Sequence, residues 1–198
     1  MSSRTIFHSA AIASILAFCG APLTEAETQT TLEPFMLKAR EAVKAMGGKL
    51  QGELKAAIAS GGPVSAVQVC KTVAPAIAEQ QSKASGLTVK RTSLKVRNPS
   101  NAPDALERRV LEDFATKVQA GSDPATLEYI EQVADGERTL VRYFKAIPTA
   151  KEPCLACHGS DVSGELKETI SKLYPDDQAT GFKAGDLRGA FSVTMEKK

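Results

Sequence analysis

Three residues suited to holding a metal-bearing group fall in one short run, Cys154-Leu155-Ala156-Cys157-His158. Two thiols at this spacing can each add to one of the two vinyl groups along one edge of a porphyrin. The histidine that follows is then carried beneath the ring, where an imidazole nitrogen reaches the iron. The run is the CxxCH signature of covalent, c-type heme attachment. With four cysteines and two histidines in 198 residues, chance produces it in about one such chain per thousand. The chemical rivals are a redox-active CxxC pair and a zinc site that recruits Cys70 as its fourth ligand. A redox CxxC of the thioredoxin kind sits where a strand feeds a helix, whereas Pro153 and Gly159 predict a loop around this one.

The other side of the iron is a separate question. His8 lies in an N-terminal segment that reads as cleaved, so His158 is the one histidine left to the mature chain, and bis-histidine ligation is excluded. The remaining candidates are Cys70, Met36, Met46, Met195, a lysine, or an open position. Cys70 shares a helical face with Val67, Ala74 and Ile77, which fits a small core hydrophobe. An unpaired thiol exported to an oxidising compartment is also open to attack, and coordination as thiolate would protect it. Both readings stand on the residues alone. Met36 and Met46 join Leu32, Phe35, Ala39, Val43, Leu50 and Leu54 in a helical stripe, where core methionines sit, and Met195 lies in a C-terminal strand.

The N-terminal segment carries Arg4, an apolar stretch from Ala10 to Cys19 and then small residues, the order of a secretory signal peptide. Cleavage after Ala26 divides the chain into a signal peptide, 1–26, and one mature domain, 27–198, of periplasmic location. Phe18 before Cys19 argues against lipid attachment there. No later segment approaches the roughly 20 apolar residues of a membrane helix, so no integral membrane segment is expected after cleavage. A formal net charge of +2 is too small for a nucleic-acid partner. Lys90, Arg91, Lys95 and Arg97 form a local basic cluster that reads first as a solvated face, and otherwise as a patch that steers an anionic partner or meets heme propionates.

The elements that must position these residues follow from periodicity and breakers. A long amphipathic helix is predicted from about Thr31 to Ser60, with a weak point at Gly47-Gly48 and an end at Gly61-Gly62. Pro63 starts a second helix that carries Cys70 to about Ala84, kinked at Pro75. A strand follows near 87–94, then a turn-rich run, Arg97 to Asp104. Next comes a helix with Leu106, Val110, Leu111, Phe114 and Val118 on its apolar face. A hairpin of 127–133 and 140–147 turns around Asp135-Gly136, and after the CxxCH run come a helix from Ser163 to Leu173 and a strand over about 188–195. The class is α+β in a single domain.

Four stretches together resemble a family of exported c-type heme proteins with a PAS-like fold, formerly catalogued as a domain of unknown function. They are Ala66 to Cys70 with Ala74-Pro75, Arg97 to Asp104, Cys154 to Gly159, and Tyr174 to Asp177 through Gly185 to Gly189. They cover nearly all the mature chain in the expected order, although Leu106 stands where the family pattern leads one to expect an aromatic residue. The resemblance implies a PAS-like antiparallel sheet behind long N-terminal helices, and it implies that Cys70 is the second axial ligand, as thiolate, opposite His158. For Arg97, Asn98 and Pro99 the residues read as a turn and helix start, with direct contact to heme as the alternative.

The expected cofactor is one covalent heme c, and the expected role is electron transfer to a redox partner protein, or redox or gas sensing with a diatomic gas as ligand. The second reading is an enzyme acting on thiosulfate or related sulfur compounds.

Overall fold

The amphipathic stripe becomes helix α1, Glu25–Gln68, which begins earlier than the periodicity suggested. The structure, a computed structural model, describes residues 25–197. The expected signal peptide lies outside them except for Glu25 and Ala26. Residues 33–198 form one compact unit, and of the unit 1–32 the described part is the start of α1. Among the described residues no helix is long and apolar enough to cross a membrane.

α1 runs through Gly47-Gly48, against expectation. A Cβ at Gly47 would lie 3.3 Å from Phe191 Cζ, so the glycine is there to admit an aromatic ring against the helix, and its neighbours keep the turn helical. Gly61 and Gly62 do leave helical geometry, Gly62 at φ 70°, as only glycine does cheaply. Pro63 then restarts the helix. A single π-helical turn, Val69–Val73, follows. Pro75 stands at the start of α2, Ala74–Ser85, directly after the π-helical turn, so the change of helix type falls where its missing N–H interrupts the ladder.

Four strands form one antiparallel sheet in the order β1-β4-β3-β2: β1 Thr88–Thr92, β2 Glu128–Asp135, β3 Arg138–Pro148 and β4 Leu187–Lys197. β2 and β3 are the expected hairpin, with Asp135 paired to Arg138 across the turn. β4, the last strand, fills the gap between β1 and β3, a pairing that no local pattern announces.

α3, Ala105–Gln119, covers one face of the sheet. Asp104 and Glu107 form a reciprocal capping box at its start. Val110, Leu111 and Phe114 pack on Phe144, Ala146 and Ala190, and Leu106 joins this core from its edge, partly buried. The middle of α1 lies over the other face, against Phe191. α5, Gly164–Leu173, packs Leu166 and Ile170 on Val67 near the end of α1, with Tyr174 and Cys157 in the same cluster.

Candidate functional site

The CxxCH run is not the expected loop. It forms a five-residue helix, α4, Cys154–His158, capped by Gly159, whose N–H donates to the Leu155 carbonyl at 2.9 Å. The turn closes so tightly that a Cβ at Gly159 would lie 2.6 Å from the Leu155 oxygen. Coiling puts Cys154, Cys157 and His158 on neighbouring positions of one helical surface.

His158 is fixed from behind. Its Nδ1–H donates to the Ala179 carbonyl at 2.7 Å, which selects the tautomer that leaves Nε2 as a free lone pair. Its own carbonyl accepts from the Phe182 N–H at 2.9 Å, and the Gly159 carbonyl from the Gly181 N–H at 3.0 Å. Phe182 also meets the imidazole edge-on, at 6.2 Å between centroids. Burial, reinforced by repulsion from Arg188 and Arg97, pushes the His158 pKa down to about 3, so the ring is neutral at physiological pH.

Arg97 ties this arrangement together. It is buried and makes a two-pronged ion pair with Asp177, Nε to Oδ1 and Nη2 to Oδ2, both at 3.0 Å. The same Nη2 donates to the Cys157 carbonyl at 2.7 Å and the Ala179 carbonyl at 3.2 Å. Asp177 Oδ1 in turn accepts the Ala179 N–H at 2.9 Å. Arg97 therefore holds the backbone behind Cys157 and His158. Asn98 and Pro99 behave as a turn: the Asn98 side chain accepts the Ser100 N–H and Pro99 begins a 3₁₀ turn.

Cys70 lies in the π-helical turn, half-buried. Such turns re-aim a side chain by one extra residue, and they recur at functional sites. Burial pushes the Cys70 thiol up, and the charges of Arg91, Arg97 and Arg188 pull against it. Cys157 is likewise raised by burial, with Arg97 opposing. The three described cysteines are all free thiols.

Cys70, Cys154, Cys157 and His158 line a single cavity of about 340 Å³, within the size range of small-molecule sites. Leu50, Leu54, Ile58 and Val67 supply an apolar wall, and Phe191 faces them from β4. Met36, Met46 and Met195 are absent from the lining, and so is every lysine.

The basic cluster is not a solvated face. Alternation along β1 sends Lys90 to the α3 side, where its Nζ meets fully buried Glu107 at 3.0 Å, and sends Arg91 to the cavity. Arg97 is buried, and Lys95 alone is exposed, its ammonium 4.7 Å from the Phe182 ring centroid. Two residues of the family-like stretch Tyr174 to Gly189, given no role on sequence, belong to the site. Asp177 is the partner of Arg97, and Arg188 enters the cavity from β4. Ile147 pairs with Gly189 but Pro148 with Leu187, so Arg188 is the extra residue of a β-bulge, a device that redirects a side chain.

Compared with known families, residues 17–196 match the Tll0287-like family. No curated protein matches the chain. A solved structure, described as the crystal structure of the cyanobacterial heme-protein Tll0287, is similar to it at 24% sequence identity and a TM-score of 0.53. The match covers 89% of this chain and 98% of that one. At this identity the likeness concerns the fold.

Proposed function

Because the chain belongs to the Tll0287-like family, we propose that it is a monoheme c-type protein serving electron transfer or redox sensing. In this reading the porphyrin is bonded to Cys154 and Cys157, and the iron is ligated by His158 and Cys70. The observation that carries it is the convergence of three thiols and an imidazole with a free Nε2 on one cavity. The related solved structure is described as a heme protein, and the donor set fits that group. Two thiols suit the thioether bonds, a neutral imidazole suits the proximal position, and a third thiol on a separate element suits the other axial one.

Heme supplies a one-electron ferric/ferrous couple, and a thiolate ligand favours the ferric state relative to His/Met ligation. The chain's own residues orient and insulate. Ala179 and Phe182 hold the imidazole in one tautomer and plane, Arg97 fixes the backbone of the attachment helix, and α1 gives the cavity an apolar wall. We further read residues 1–26 as an export signal, the sheet as PAS-like, and the site of action as the periplasm, with a redox protein or a diatomic gas as partner.

The test is a pyridine hemochrome assay with low-temperature electron paramagnetic resonance on wild type and Cys70→Ala. A c-type hemochrome with low-spin thiolate signals that vanish in the variant is the expected result. Unchanged ferric and ferrous spectra in Cys70→Ala would rule out that ligand. A second reading, an enzyme acting on thiosulfate or related sulfur compounds, draws on the cationic lining of the cavity, which suits an oxyanion. Saturable thiosulfate-dependent heme reduction separates the two.

A further inference from the structure

We propose that Arg91 and Arg188 are the counter-charges of the site, pairing with the two carboxylates of the bound heme. This deepens the heme reading and rests on it. The cavity lining contains three arginines and no aspartate or glutamate. Arg97 is already satisfied by Asp177, so two cations are left over. The Arg91 guanidinium makes no ion pair or hydrogen bond among the described residues. Arg188 donates from Nη1 to the Ser93 hydroxyl at 2.9 Å and the Lys95 carbonyl at 3.3 Å, which leaves its Nε and Nη2 without partners there.

Leaving two guanidiniums partly buried and mutually repelling is costly unless an anion joins them. The strain is visible in Arg188, whose pKa is pushed down to about 10 by burial and by Arg97 and Arg91. The positions are also built rather than incidental. Arg91 is paired in register with Phe191, so both face the cavity from adjacent strands, and the β4 bulge turns Arg188 toward the same space. Gly189 permits that bulge to lie against β1, since a Cβ there would be 2.3 Å from the Thr92 oxygen.

The charges then close. A ferric porphyrin core carries one positive charge, which a Cys70 thiolate cancels. The two propionates carry two negative charges, which Arg91 and Arg188 cancel, while Arg97 and Asp177 cancel each other. A cavity with a largely apolar lining favours such neutrality. Bidentate pairing with planar carboxylates is what the guanidinium fork does best.

The same guanidiniums could instead receive a free oxyanion such as thiosulfate, and the test separates the two sources. Heme-loaded wild type, Arg91→Met, Arg188→Met and the double variant are compared by spectroelectrochemical titration and by the propionate-bending lines of the resonance Raman spectrum. Each Met variant is expected to shift the reduction potential downward, the double variant furthest, and to move the propionate lines. Arg91→Lys and Arg188→Lys keep the charge if the Met variants fail to mature; they should hold the potential near wild type and still move the lines. Unmoved lines in either series overturn the proposal. So does a saturable thiosulfate-induced spectral change in wild type that is lost in the variants. Absence of a hemochrome from wild type overturns the heme reading itself and is scored before any variant.

Discussion

Replacing Arg97 with methionine removes a cation whose ion pair with Asp177 is shut away from solvent, the two side chains being 7% and 10% exposed. Breaking a buried pair by deleting one partner costs about 3–5 kcal/mol, because the other charge is left uncompensated. Asp177 keeps the Ala179 N–H, so the lower end applies, about 3 kcal/mol. For a chain of this size that corresponds to a melting temperature lowered by roughly 6–12 °C.

The pH dependence gives the reasoning a second handle. Burial pushes the Asp177 carboxyl up, but the hydrogen bond from Arg97 and the Ala179 N–H outweigh it, so its native pKa lies below the usual carboxylate range. A depressed carboxylate contributes stability that is complete above its unfolded pKa and is lost as pH falls through the native one. The gap between wild type and Arg97→Met should therefore be widest near neutrality and narrow in acid. Urea unfolding, followed by Soret absorbance and far-ultraviolet circular dichroism at about pH 7 and about pH 3, measures it. Adding Asp177→Asn to the variant should recover part of the loss by removing the orphaned charge. A gap under about 1 kcal/mol, or one of equal size at both pH values, would refute the argument.

On the opposite face of the sheet, Glu107→Gln should cost about 3 kcal/mol. It strips Lys90 and Arg142, each at 3.0 Å, of a fully buried carboxylate. The heme absorption spectrum should not change, because α3 lies away from the cavity; a shifted Soret band would contradict that separation. Gly189→Ala forces a methyl to 2.3 Å from the Thr92 carbonyl oxygen and should cost about 1–3 kcal/mol by overpacking. Because it also disturbs the bulge that aims Arg188, its reduction potential should move in the same direction as that of Arg188→Met, which the same titration reads.

Much of the local structure was written in residue order. The breakers Gly62, Gly86 and Gly136 lie where the helical path breaks, α2 ends and the hairpin turns, since each sits at positive φ, which few other residues adopt. The periodic runs of α3 and α5 appear where their apolar faces predicted them, and that of α1 forms the core of a longer helix. The Cys154–His158 run stood out by its spacing, because its chemistry depends on residue type, whereas Cys70 was one candidate among several on the residues alone and only the resemblance singled it out.

What the chain order could not disclose depends on partners far away in sequence. Gly47 reads as a helix weak point until Phe191 is seen against it. Lys90 and Arg91 read as one basic patch until strand alternation parts them, one to Glu107 and the other to the cavity. Arg188 sits in a family-like stretch, but nothing local gives its direction, since a bulge exists only relative to the strand it fails to match. Sequence thus determined which groups could do the chemistry. The pairing of the last strand between β1 and β3 decided which of them meet, because side-chain direction in a sheet follows register, and register is set across the whole chain.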